Sequence, residues 1–305
     1  MSHILFIPSK KAGKYRSLIE SVQLPDLTIA SELTSDVDIL FGEPDLIKDA
    51  LASLPALKWV QATWAGVESL LDPLIRRDYV LTNARGVFGR LMSEYVFGYI
   101  LAHERKIFQR ASAQQNKWWD SSLTGWLSGK KIGLLGVGSI GAELARTARF
   151  FEMRVRGYTR ESENCANVDE YYHGRDLVDF ANGLDYLVAI LPNTKDTLEI
   201  VGGNIFAALP PHAVFINVGR GTTVNESALI EALNTHKIAS SVLDVFEQEP
   251  LPMDHPFWET KNLIMTFHTS APSIPEDLSR LFIENYMLFV VGKSLKYRVD
   301  FERGY

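Results

Sequence analysis

Lys131-Ile132-Gly133-Leu134-Leu135 runs directly into Gly136-Val137-Gly138-Ser139-Ile140-Gly141, and from Ala142 to Phe151 the residues continue at helical spacing. An apolar strand, a G-x-G-x-x-G turn and a helix follow one another without a gap. In that setting the first glycine lets the strand turn sharply, the second lets backbone approach a pyrophosphate, and the third permits close helix–strand packing. The phosphates would lie on the helix N-terminus, whose amides and dipole favour an anion. Gly136, Gly138, Ser139, Ile140 and Gly141 are therefore expected to bind a dinucleotide.

Downstream, apolar runs at Arg154–Tyr158, Tyr186–Leu191, Ala213–Val218, Ser240–Asp244 and Leu263–Thr266 complete the strand count of a Rossmann unit, and Glu226–Thr235 has the clearest helical pattern between them. Such a unit takes about 140 residues. Upstream, Ile4–Ile7, Val37–Phe41, Lys58–Gln61 and Tyr79–Thr82 alternate with helix-like stretches at Tyr15–Val22 and Asp45–Leu54, a second parallel series. One long helix is expected from Met92 to about Phe108, and another over Glu276–Val291 that packs back onto the first series. The expected fold is α/β: two Rossmann/flavodoxin-like parallel-sheet domains with an active-site cleft between them. Residues 1–98, joined by 270–305, would form a substrate domain, and residues 99–269 the dinucleotide domain.

Of 305 residues, 46% are hydrophobic and 22% charged, a globular composition, and no apolar stretch reaches the length of a membrane span. Met1-Ser2-His3 leads straight into Ile4-Leu5-Phe6-Ile7, with no basic segment or small-residue cleavage site, so that run is expected to be a strand. A net charge of −6 without a basic cluster argues against nucleic acid as a partner. Cys165 is the single cysteine, which excludes a disulfide framework and a multi-cysteine zinc site and points to a reducing cytoplasm.

Four further segments appear in order: Gln61-Ala62-Thr63-Trp64-Ala65-Gly66-Val67, Asn217-Val218-Gly219-Arg220-Gly221, Asp244-Val245-Phe246-Glu247-Gln248-Glu249-Pro250 and Thr266-Phe267-His268. Together they resemble the D-isomer-specific 2-hydroxyacid dehydrogenase family over almost the whole chain. The likeness is closest to its glyoxylate/hydroxypyruvate reductase branch, including a C-terminus of the form Val299-Asp300-Phe301-Glu302-Arg303-Gly304-Tyr305. Asn83–Val87 and Ser93-Glu94-Tyr95 fit the same pattern.

The chemistry of such an enzyme can be matched to residue types. Reducing a 2-keto acid needs a cation for the carboxylate, a proton donor for the carbonyl oxygen and a hydride donor on one face of the carbon. Arg220, at a strand's carboxyl end between two glycines, offers a planar guanidinium suited to a carboxylate. His268, just past another strand, is the candidate acid, histidine being the side chain that ordinarily titrates near neutral pH. The resemblance implies that Glu249 pairs with His268 and fixes its ring. It implies too that the amides of Ala65, Gly66 and Val67 hold the substrate carboxylate, that Leu191 and Pro192 lie beside the adenosine, and that Asp244 contacts the nicotinamide carboxamide. Trp64 either walls the substrate pocket or packs in the core.

Cofactor choice rests on the second Rossmann strand, which ends Tyr158-Thr159-Arg160. Thr159 stands where NAD-selective sites carry the carboxylate that bonds the ribose 2′-hydroxyl. With Arg160 beside it, the site should prefer NADP(H) while admitting NAD(H), unless Arg160 simply faces solvent. The resemblance thus implies a cytoplasmic, homodimeric reductase of glyoxylate or hydroxypyruvate. The alternatives are a reductase of bulkier 2-keto acids such as phenylpyruvate, and a dinucleotide-sensing binding protein like the family's corepressor relatives. Trp118-Trp119-Asp120, with Trp126, would either cross a subunit interface or cover its own domain.

Overall fold

The apolar runs form two separate parallel sheets in the computed structural model, which describes residues 2–304. One compact unit holds the chain up to Phe88 and again from Pro272; the other is Gly89–Ala271.

In the smaller unit, β1 (His3–Phe6), β2 (Leu27–Ile29), β3 (Ile39–Gly42), β4 (Trp59–Ala62) and β5 (Val80–Thr82) line up as β2-β1-β3-β4-β5. This is the flavodoxin-like order. Every residue of β3 and β4 is buried, as in a sheet covered on both faces. Helices α1 (Ala12–Glu20) and α2 (Pro44–Ala50) link the early strands, and Pro44 takes the first helical position, where a missing N–H costs nothing. The C-terminal helix Pro275–Val290 returns to this sheet. Its Phe282 ring stacks on Phe41 at 4.9 Å and on Trp59 at 5.1 Å, and Asn285 donates to Gln61 Oε1 at 2.9 Å. A fully buried phenylalanine of this kind contributes about 1.5–3 kcal/mol through area removed from water.

The larger unit opens at Gly89, ten residues before the expected boundary. Helix α3 (Gly89–Glu104) belongs there because of what it packs on: Ser93 Oγ donates to Thr147 Oγ1 at 2.7 Å, and Phe97 stacks on Phe151 at 5.5 Å. The single helix expected to run to Phe108 stops at Glu104, and α4 (Ile107–Gln115) starts anew after Lys106, whose φ of +54° is left-handed. Beyond α4, Gly125 N–H donates to the Glu104 carbonyl at 3.0 Å. Buried Glu104 in turn accepts from Tyr186 Oη and pairs with Lys130 Nζ at 2.7 Å.

The strands of this unit are β6 (Lys131–Leu135), β7 (Arg154–Tyr158), β8 (Glu170–Tyr172), β9 (Tyr186–Ala189), β10 (Val214–Asn217), β11 (Ser240–Leu243) and β12 (Leu263–Met265). Helix α5 (Ser139–Phe150) follows β6, α6 (Leu177–Ala181) precedes β9, α7 (Gly203–Ala208) follows it, and α8 (Glu226–Asn234) separates β10 from β11. Asn225 caps α8 by accepting the Ala228 N–H at 2.8 Å. Sheet order is β12-β11-β10-β9-β6-β7-β8, the Rossmann order with one strand added, and its switch point lies between β6 and β9. Every strand ladder among the described residues is parallel. Among those residues no helix is long and apolar enough to cross a membrane.

Candidate active site

Parallel sheets bind ligands at the carboxyl ends of their strands, and the expected functional residues of the larger unit stand there. Gly136 follows β6 directly, with φ +107°, a conformation that needs glycine. Gly141 lies so close to that turn that a Cβ on it would sit 2.3 Å from the Gly136 carbonyl oxygen. Gly138 is the N-cap of α5 and makes no side-chain cap bond, and the first helical bond is donated by Ala142 to the Gly138 carbonyl at 2.9 Å. The amides of Ser139, Ile140 and Gly141 thus lie ahead of the helix ladder, where a helix offers donors to an anion. This is the cradle that a pyrophosphate fits.

Arg220 ends the loop after β10. Asn217 shapes that loop twice: its Nδ2 donates to the Arg220 carbonyl at 2.9 Å, and its Oδ1 accepts the Gly219 N–H at 3.1 Å. The guanidinium is half-buried and its Nη1 donates to the Gly219 carbonyl at 2.8 Å. Both flanking glycines are wedged: a Cβ on Gly219 would meet the Leu191 carbonyl oxygen at 2.7 Å, and one on Gly221 the Phe246 carbonyl carbon at 1.8 Å. The Arg220 loop therefore sits between the Leu191 and Phe246 loops with no side chain intervening.

After β11 the chain turns through Asp244–Glu249. Glu249 Oε1 accepts the Phe246 N–H at 3.0 Å, and its Oε2 lies 2.8 Å from His268 Nδ1. Because a carboxylate can only accept, Nδ1 carries the proton in this bond and Nε2 is the ring nitrogen turned to other partners. Glu249 and His268, which sequence places nineteen positions apart, are thus brought together. His268 has φ +55°, and its N–H donates to the Asp244 carbonyl at 2.7 Å. The Asp244 side chain is buried: Oδ1 accepts from Thr266 Oγ1 at 2.6 Å and Thr269 N at 2.9 Å, and Oδ2 from Ser270 N at 3.1 Å.

At the far edge of the sheet, Thr159 N–H donates to Tyr172 O at 3.1 Å, and Arg160 Nη2 lies 3.3 Å from Asp196 Oδ2, both side chains well exposed. His173, which sequence reading left without a role, places Nδ1 3.0 Å from the Thr159 carbonyl and Nε2 2.9 Å from Glu163. The bond to Glu163 raises its pKa above the ordinary histidine value. Leu191 and Pro192 are half-buried just past β9, and the Pro192 carbonyl accepts from Thr197 Oγ1 at 2.7 Å.

In the smaller unit, Trp64, Ala65, Gly66 and Val67 form the bend after β4. Trp64 is 41% exposed, so it does not pack in the core, whereas Val67 is buried. Asn83 Nδ2 holds the Ala65 carbonyl at 2.9 Å, and Ala84 N–H the Trp64 carbonyl at 3.0 Å.

Four bracing residues escaped sequence reading as functional: Asn217, Thr266, Tyr95 and His173. Asn217, Thr266 and Tyr95 stand inside quoted motifs, but their bonds join segments far apart in sequence or fold back within a loop, and no local spacing signals that.

Residues 97–270 match the family described as D-isomer specific 2-hydroxyacid dehydrogenase, NAD binding domain. The chain is 29% identical to a glyoxylate/hydroxypyruvate reductase A of Yersinia enterocolitica, with all of both chains covered. It superposes with a TM-score of 0.92 on a D-isomer specific 2-hydroxyacid dehydrogenase family protein from Aeromonas salmonicida, at 40% identity over 99% of this chain and 100% of that one. An NADPH-dependent glyoxylate/hydroxypyruvate reductase from Sinorhizobium meliloti, solved with NADP and sulfate, gives a TM-score of 0.87 at 26% identity, with both chains fully covered.

Proposed function

This chain belongs to the D-isomer specific 2-hydroxyacid dehydrogenase family, and from that premise we propose that it reduces a small 2-keto acid, glyoxylate or hydroxypyruvate, to the D-2-hydroxy acid with NADPH. The observation that carries the proposal is the 2.8 Å bond between His268 Nδ1 and Glu249, one strand end away from the wedged Arg220 loop.

A dinucleotide held through its pyrophosphate by the Gly136–Gly141 turn would supply the hydride from its reduced nicotinamide. The protein's own residues do the rest. Arg220 takes the substrate carboxylate, its planar charge also drawing electron density from the neighbouring carbonyl. The family resemblance assigns Trp64 and the amides of Ala65, Gly66 and Val67 to the substrate as well. His268, protonated on both nitrogens, gives the Nε2 proton to the carbonyl oxygen as the carbon gains its hydride. It is left neutral with Nδ1–H still on Glu249. In the reverse direction neutral Nε2 accepts the alcohol proton. Thr159 removes the carboxylate that would repel a 2′-phosphate, and Arg160 supplies a cation to it; a relative of this chain is solved with NADP. Asp244 contributes to the nicotinamide end, and Leu191 and Pro192 to the adenosine end.

We place the protein in the cytoplasm as a homodimer. Trp118 (62% exposed), Trp119 (89%) and Trp126 (70%) do not cover their own unit, and a hollow of about 320 Å³ opens beside Trp126, Phe150 and Phe151. Exposed aromatic surface of this kind suits an association site.

The test is NADPH oxidation followed by absorbance with a panel of glyoxylate, hydroxypyruvate, pyruvate and phenylpyruvate, repeated with NADH. Turnover is expected to be fastest with the two small acids and NADPH. Preference for phenylpyruvate would assign a bulky substrate, and tight NADPH binding without turnover of any acid would assign a sensor.

A further inference from the structure

Helix α3 sends one hydroxyl to the loop that carries His268. Thr266 Oγ1 lies 2.6 Å from Asp244 Oδ1 and 2.6 Å from Tyr95 Oη. A carboxylate oxygen only accepts, so the single Thr266 hydroxyl proton points to Asp244, and Tyr95 must donate to Thr266. The protons therefore run one way, from Tyr95 to Thr266 to Asp244. Burial, the largest influence on the Tyr95 phenol, raises its pKa and keeps that donor protonated.

Asp244 spreads this anchoring over the loop. Its carboxylate receives Thr269 N–H and Ser270 N–H, and its carbonyl receives His268 N–H at 2.7 Å. The three amides that leave β12 in succession after Phe267 are thus all held by one aspartate. That aspartate's orientation is set by Thr266, and Thr266 by Tyr95. His268 needs such a hold, because its φ of +55° is a left-handed conformation that is unfavourable for a non-glycine residue. Its side chain is over half exposed, so the surrounding core does not fix the ring.

We propose that Tyr95 and Thr266 are positioning residues for His268, holding its backbone through Asp244 so that Nδ1 stays on Glu249 and Nε2 stays aimed at the reacting oxygen. The idea rests on His268 being the acid of the proposed reaction, and its test keeps the two separable. Thr266→Val removes the relay hydroxyl at nearly constant shape, Tyr95→Phe removes the outer donor alone, and Thr266→Ser restores the hydroxyl.

Long-range nitrogen–proton NMR spectra of the histidines, with His268→Ala assigning the signal, report which ring nitrogen of His268 carries its proton in the protein without substrate. In spectra taken at alkaline pH, where the ring is neutral, the parent is expected to show a single Nδ1–H form. Thr266→Val should show an averaged signal and about a tenfold lower kcat, the order of loss that follows small misplacement of a reacting group. Tyr95→Phe should give the same change in smaller degree, and Thr266→Ser the parent spectrum, with KM for the keto acid little altered in all three. An unchanged His268 signal in both Thr266→Val and Tyr95→Phe overturns the proposal, whatever happens to turnover. Failure of Thr266→Ser to restore the parent signal overturns it as well. Since the spectra need no substrate, they decide the matter even if no keto acid is turned over.

Discussion

Gly221→Ala isolates geometry from chemistry at this site. A Cβ at Gly221 would lie 1.8 Å from the Phe246 carbonyl carbon, 2.1 Å from its oxygen and 2.3 Å from Glu247 N, all backbone. Ordinary contact begins near 3.4 Å, so the Arg220 loop and the Phe246 loop must part by about 1.6 Å. Backbone has no rotamer with which to step aside. Glu249 moves with Phe246, whose N–H it accepts at 3.0 Å, and His268 is tied to Glu249. A displacement near 1 Å at a reacting group costs about 10²-fold in rate, or about 2.7 kcal/mol of barrier. The expected result is a fall in kcat/KM for glyoxylate of ~10² or more, with Arg220, Glu249 and His268 all present. NADPH affinity, measured by fluorescence, should change little because the Gly136–Gly141 turn lies on a different loop. Gly219→Ala, whose closest contact would be 2.7 Å, should fall between the parent and Gly221→Ala, and Gly203→Ala, with nothing within 4 Å, should match the parent. Circular dichroism checks that each variant is folded, and Gly219→Ala retains the test if Gly221→Ala is not. A folded Gly221→Ala enzyme whose kcat/KM lies within about threefold of the parent refutes the reasoning.

His268→Ala should lower kcat by about 10²-fold, the usual contribution of a positioned acid, as measured by steady-state kinetics. Near-parent turnover would remove it from the mechanism. Arg160→Ala should weaken NADPH by roughly 10–100-fold, the worth of a charge-assisted bond, and leave NADH nearly unaffected; equal losses in titration calorimetry would sink the 2′-phosphate assignment. His173 supplies a pH dependence. Glu163 raises its pKa, so its positive charge beside Thr159 is fully present below the ordinary histidine value and is lost as pH rises through the raised one. The preference for NADPH over NADH should decline across that window, and His173→Asn should flatten the decline. Phe282→Ala should cost about 3–5 kcal/mol in the chemical unfolding of the smaller unit, because its ring lies between Phe41 and Trp59.

Strands buried on both faces were plain in the sequence, since a run such as Lys131–Leu135 ends where its apolar character ends. The edge strands Leu27–Ile29 and Glu170–Tyr172 were not, because three residues half-covered by neighbours carry too little alternation to register. The break at Lys106 also left no mark, for nothing in the residue type announces a left-handed lysine. At the site, residue types bearing chemistry stood out: a guanidinium between glycines, a histidine after a strand, a G-x-G-x-x-G turn. What holds them did not. Gly219 and Gly221 stood out only as the neighbours of Arg220, yet they are glycines because backbone presses on them. Tyr95 stood in a stretch that fits the family pattern, but its partner lies 171 residues away and no local spacing points to it.

The placement of the catalytic candidates follows from sheet order rather than from any one loop. Strands β10, β11 and β12 are neighbours, about 4.8 Å apart, so residues emerging from their carboxyl ends arrive at one edge whatever their distance in sequence. Arg220 comes from the first, Glu249 from the second and His268 from the third. Asp244, at the end of the middle strand, joins the outer two: its N–H donates to the Asn217 carbonyl at 3.0 Å, and its carbonyl accepts from His268 N–H at 2.7 Å. Asn217 in turn shapes the Arg220 loop through its own side chain. Cation and acid are therefore braced against a common residue that carries neither role. A perturbation at Asp244 should consequently disturb carboxylate binding and proton transfer together, raising KM and lowering kcat. Changes at Arg220 or His268 alone should separate the two.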